Sequence, residues 1–167
     1  MKELYVIRHG IAEQKAPNGS GDEKRELTGE GKKKVKLIAK SLKGMDVEFD
    51  AIISSPLTRS MQTAKIIMDI CPGCGEVAVT DLLKPDGQYD DLIKYLNTIE
   101  GAERVSIVGH EPFLSGFISY CLSKSRNPFI RMKKGAVALI SIDEHIIPGK
   151  AELQWLMGPK QIIGKSD

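Results

Sequence analysis

The chain has 167 residues, a length that suits one domain spanning residues 1–167 with room for a sizeable core. Hydrophobic residues at 41% and charged residues at 28% exclude long disorder and a fibrous chain. Twenty-four Lys and Arg against 22 Asp and Glu leave a net charge of +2, so composition points to no nucleic-acid and no membrane partner, and any preference for anions must be local.

Leu4–Ile7 is a continuous apolar run that ends at Arg8-His9-Gly10, as a strand covered on both faces would read. It is too short for a signal peptide, and no apolar run approaches the roughly 20 residues that cross a bilayer. The stretch Ala16–Glu26 is polar and rich in Gly and Asn, hence a loop. Thr28 then opens a lysine-rich helix in which Val35, Ile38, Ala39 and Leu42 share one apolar face and Gly44 marks a stop.

Ala51–Ser54 is a short strand, followed after Ser55-Pro56 by a helix carrying Met61, Ala64, Ile67 and Met68 to about Ile70. Val77–Val79 reads as a strand, Leu92, Leu96 and Ile99 as a third helix, Val105–Val108 as a strand ending at Gly109-His110, and Phe113–Leu122 as a further helix. Ala136–Ile142 and Leu153–Met157 read as a closing hairpin around Asp143–Gly149. Alternation of strand and helix predicts parallel strands with crossover helices, a single-domain three-layer α/β/α fold with a mostly parallel sheet, whose strand C-terminal ends carry the ligand loops.

His9 and His110, two of the three histidines, each stand just past the C-terminal end of a predicted central strand. Arg8 adjoins His9, and Arg59 lies near the start of the helix after Ala51–Ser54. Two imidazoles and two guanidiniums facing one crevice describe a phosphate site, because Arg forks match phosphate oxygens and neutralise their charge. With no metal motif in the sequence, no metal and no cofactor are expected, and a neutral His is left with nucleophilic attack or proton transfer.

Other features have simpler explanations. His145 falls in the hairpin turn as a solvated residue, and Cys71-Pro72-Gly73-Cys74 lacks the second ligand pair of a zinc site and reads as a helix-terminating turn. Three cysteines are too few for a disulfide framework, which suits a cytoplasmic protein. Gly29-Glu30-Gly31-Lys32 lacks the spacing of a nucleotide loop. Lys124, Arg126, Arg131, Lys133 and Lys134 form a basic cluster able to guide an acidic protein partner.

The strings Arg8-His9-Gly10, Ser55-Pro56-Leu57-Thr58-Arg59-Ser60-Met61-Gln62-Thr63-Ala64 and Val108-Gly109-His110-Glu111-Pro112, in this order, resemble the histidine phosphatase superfamily, in particular its small SixA-type phosphohistidine phosphatases. The resemblance implies His9 as the nucleophile that takes the phosphoryl group, Arg8 and Arg59 as phosphate clamps, and His110 as a donor to the phosphoryl oxygens. Arg25 aligns with an arginine that touches substrate phosphate or orders the loop. Small members commonly carry Asp where this chain has Gln88, which leaves two readings: Asp86, one residue before Gly87, stands in as the proton donor, or the chain has no dedicated acid.

The implied substrate is phosphohistidine on a protein. Larger relatives insert a helical lid between the third and fourth strands, whereas about 25 residues separate Val79 from Val105 here. The alternatives are a small-molecule phosphomonoesterase of the phosphoglycerate mutase-like family, which would want a lid and a carboxylic acid, and a catalytically silent phosphate-binding module.

Overall fold

The computed structural model describes residues 1–71 and 73–164. Leu4 to Ile7 are buried as one run because they alternate between two cores, as the two-residue repeat of a strand requires. Leu4 and Val6 enter a core with Leu92, Phe113 and Phe117, while Tyr5 and Ile7 enter another with Val35, Leu42 and Ile67. The strand β1 (Glu3–Arg8) is therefore covered on both faces, and the alternation of the chain is that of three layers.

The remaining strands are β2 (Ala51–Ser54), β3 (Val77–Val79), β4 (Arg104–Gly109), β5 (Val137–Ser141) and β6 (Glu152–Met157), in the order β3-β2-β4-β1-β5-β6. The four strands from β3 to β1 are parallel, and β5 and β6 add an antiparallel hairpin. The helices α1 (Gly29–Gly44) and α2 (Thr58–Ile70) cover one face, and α3 (Tyr89–Leu96) and α4 (Phe113–Ser123) the other.

This topology positions the site. The chain leaves β1 toward α1 on one face and leaves β4 toward α4 on the opposite face, so a crevice opens between the C-terminal ends of these two neighbours. Thr28 caps α1 by accepting from the Gly31 amide at 2.9 Å. Gly31 itself permits close packing: a Cβ there would stand 2.1 Å from the Ile11 carbonyl oxygen, so a larger residue would push the β1 loop off the helix.

Three details differ from the sequence expectations. Helix α3 ends at Leu96, so Ile99 lies beyond it, although it still packs on the core. The Asn97 side chain bonds both the amide (2.8 Å) and the carbonyl (3.1 Å) of Ile146, tying the chain to the hairpin turn where another helical turn would have continued. The polar loop contains two 3-10 turns, Pro17–Gly19 and Asp22–Lys24, and a short unforeseen helix α5 (Pro159–Ile163) follows β6. His145 is exposed on its turn as expected. In the Cys71–Cys74 segment Pro72 lies outside the described residues, α2 ends just before Cys71, and Cys71, Cys74 and Cys121 are all free.

Candidate active site

The parallel register places Arg8 opposite Gly109, so the next residues, His9 and His110, emerge side by side with ring centroids 5.1 Å apart. They are only 6% and 2% exposed. His9 Nδ1 lies 2.7 Å from the Gly10 carbonyl oxygen. A carbonyl can only accept, so Nδ1 carries the ring proton and Nε2 keeps its lone pair. The Gly10 amide donates to Thr63 Oγ1 at 3.1 Å, and the Thr63 hydroxyl donates to the Arg59 carbonyl at 2.7 Å, which pins this loop to the first turns of α2.

Burial, with the positive charges of Arg59, Arg8 and Lys134, lowers the His9 pKa to about 4 against the bond to Gly10. Burial, the neighbouring His9 and the two arginines lower that of His110 to about 3, opposed by Asp22. Both rings are thus neutral at physiological pH. His110 Nε2 meets Ser55 Oγ at 2.9 Å and Ser60 Oγ at 3.2 Å.

Arg59, in the first turn of α2, is 4% exposed; its Nη1 donates to the Asp22 carbonyl at 2.8 Å and its Nη2 to Asp22 Oδ2 at 3.0 Å. Arg8 is half-buried and donates from Nη1 to the Met132 carbonyl at 2.8 Å. Burial lowers the pKa of both, yet guanidiniums start so high that they stay charged. Arg8 Nε, Arg59 Nε and His110 Nδ1 are buried without a hydrogen-bond partner among the described residues. Orphaned polar atoms of this kind are costly, and three on the side chains around one crevice suit an anion that accepts from them.

The remaining candidates lie farther out. Arg25 donates to the Glu13 carbonyl at 3.0 Å and its Nε pairs with Asp22 Oδ1 at 2.6 Å, so it holds the same carboxylate that rests on Arg59. Asp86 is exposed on the turn before α3, with Gln88 Nε2 donating to its carbonyl at 3.4 Å. Its charge acts on Lys84, and it makes no hydrogen bond or ion pair with either histidine among the described residues. Sequence reasoning gave no role to Ser55, Ser60 and Thr63, although all lie within the Ser55–Ala64 string, and it missed Asp22 in a loop without periodic signal. Among the described residues no group of His, Cys, Asp and Glu is arranged to hold a metal ion.

The family model of the histidine phosphatase superfamily (branch 1) matches residues 4–84. Phosphohistidine phosphatase SixA of Escherichia coli strain K12 is 29% identical over 159 residues, 94% of each chain. An uncharacterized protein of Picosynechococcus is 31% identical over 137 residues, 81% of this chain and 82% of its own. A solved structure of the protein histidine phosphatase SixA complexed with tungstate superposes with a TM-score of 0.83 at 28% identity, covering 94% of this chain and 97% of that one.

Proposed function

The chain belongs to branch 1 of the histidine phosphatase superfamily, and on that premise we propose that it removes the phosphoryl group from phosphohistidine on a protein. The observation that carries this reading is His9: a buried imidazole with its proton fixed on Nδ1, a free Nε2 lone pair, a pKa near 4 and two guanidiniums beside it. Such a ring is an uncharged nucleophile ready for in-line attack. Nε2 attacks phosphorus as the P–N bond to the substrate imidazole breaks, and the departing ring nitrogen takes its proton from solvent. Water then attacks phosphorus in phospho-His9, the P–Nε2 bond breaks and phosphate leaves. Arg8, Arg59 and the Nδ1 side of His110 stabilise the phosphoryl charge in both steps.

Two features support a protein substrate. Between β3 and β4 there is only a 3-10 turn (Asp81–Leu83) and the eight-residue α3, which leaves the crevice without a helical lid. A phosphoramidate nitrogen can be protonated from solvent, so the exposed position of Asp86 is tolerable. A phosphomonoesterase reading has one observation in its favour: the half-buried Glu111 accepts from Ser115 Oγ at 2.7 Å and its charge acts on Arg8, so a carboxyl group stands beside the site.

The deciding experiment compares phosphate release from a phosphohistidine protein with release from a panel of phosphomonoesters, wild type beside His9→Ala. Wild type is expected to prefer the P–N substrate and to trap an acid-labile, alkali-stable label, and His9→Ala to lose about 10³-fold or more. Equal activity in the variant removes His9 as the nucleophile, and a preference for esters shifts the reading to the phosphomonoesterase.

A further inference from the structure

A second cleft, of about 570 Å³, adjoins the phosphoryl site and shares Arg8 with it. Its cationic lining consists of Arg8, Lys34, Arg131, Lys133, Lys134 and Lys160, with Ile11, Met132 and Pro159 as its apolar part, and among the described residues it has no Asp or Glu. Lys34 is paired with Glu30, but Arg131, Lys133, Lys134 and Lys160 are exposed and form no ion pair among the described residues. The two sites share a field as well as a residue, since Arg131 acts on Arg8 and Lys134 on His9.

So many like charges along one cleft repel each other in the free protein, and an anion spread over the same span relieves that repulsion. The form of the walls says which anion. Apart from Arg8, which belongs to the phosphoryl site, the unpaired cations sit exposed on flexible stems, unlike the buried, preorganised donors that grip one compact phosphate. Several carboxylates carried on an extended segment match this arrangement better. We infer that the cleft lined by Arg131, Lys133, Lys134 and Lys160 docks an acidic segment of the protein substrate, Asp and Glu residues flanking the phosphohistidine, so that the phosphorylated side chain enters past Arg8 to His9. The inference rests on the phosphohistidine reading for the identity of the substrate, but the docking surface stands on the cleft itself.

The test uses two phosphohistidine peptides of equal length, one with acidic and one with Asn/Gln flanks, a small phosphoramidate, and the unphosphorylated acidic peptide as a binding probe. Wild type and Lys133→Glu/Lys160→Glu are compared; neither residue touches the catalytic group. Wild type is expected to favour the acidic peptide about tenfold or more in kcat/KM, with the preference falling as salt is added. The double variant should lose that preference, bind the unphosphorylated peptide about tenfold more weakly, and keep its rate on the phosphoramidate.

Equal rates on the two peptides, or an equal loss on phosphoramidate and acidic peptide, overturn the proposal. So does binding of a compact bisphosphate by a cleft that does not bind the acidic peptide. If wild type cleaves no phosphohistidine substrate yet binds the acidic peptide through Lys133 and Lys160, the functional reading fails and the docking surface stands.

Discussion

At the scale of single residues, the chemistry turns on where two ring protons sit. The Gly10 carbonyl fixes the proton of His9 on Nδ1, and burial keeps the ring neutral. His110 poses the mirror problem. Its Nε2 is shared by the hydroxyls of Ser55 and Ser60, whereas its Nδ1 is buried and has no partner among the described residues. A serine hydroxyl donating to Nε2 leaves the ring proton on Nδ1 and makes that atom a donor to a phosphoryl oxygen. The double substitution Ser55→Ala/Ser60→Ala should therefore move part of the His110 population to the Nε2-protonated tautomer, visible in its ring ¹⁵N shifts. It should also lower kcat by about 10-fold, less than the 10²–10³-fold typical of deleting an oxyanion donor outright, because the ring itself remains. Unchanged ¹⁵N shifts and an unchanged kcat would reduce the serines to packing.

At the scale of elements, the loop between β1 and α1 places a carboxylate on the anion site. Asp22 bonds Arg59 through both its carbonyl and its side chain, and Arg25 holds the same carboxylate. Burial pushes the Asp22 carboxyl up, but the bond from Arg25 and the charge of Arg59 outweigh it and hold the group ionised. A phosphate must compete with that internal anion. Asp22→Asn should thus tighten inhibition by inorganic phosphate several-fold, the scale of an exposed ion pair worth about 0.2–1 kcal/mol; a weaker inhibition constant would mean that Asp22 aims Arg59 instead. None of this was legible in Ala16–Glu26, where polar residues without a period hide two 3-10 turns. The strands around Leu4–Ile7 and Val105–Val108 were legible because burial on both faces leaves an unbroken apolar run. That their ends carry His9 and His110 as neighbours was an inference from topology, and its geometry came only with the register of Arg8 on Gly109 across a hundred residues of chain. Ile99 misled because its packing on the core outlasts the helix, and α5 is too short to show a period.

At the scale of the whole molecule, the site makes the fold sensitive to acid. His9 and His110 sit buried just past the C-terminal ends of the neighbouring central strands β1 and β4, with pKa values of about 4 and about 3 against 6.5 for a free imidazole. Between those values the unfolded chain binds protons that the folded chain refuses, so stability is full above the unfolded pKa and falls as pH drops toward the folded one. The linkage relation puts the loss at about 2 kcal/mol for each histidine on going from about pH 7 to about pH 5. Carboxylates held low, Asp90 by hydrogen bonds from Tyr120 and Arg126 and Glu103 by the bond from Lys2, act in the same direction but only nearer the ordinary carboxylate range, below this window. Urea unfolding of wild type should accordingly show a marked drop in stability between these two pH values. The double variant His9→Asn/His110→Asn, which cannot take up those protons, should lose most of that slope while unfolding with a similar m-value. If the slope persists undiminished in the variant, the acid sensitivity arises elsewhere in the chain, and the two rings are not held neutral by burial as strongly as their surroundings imply.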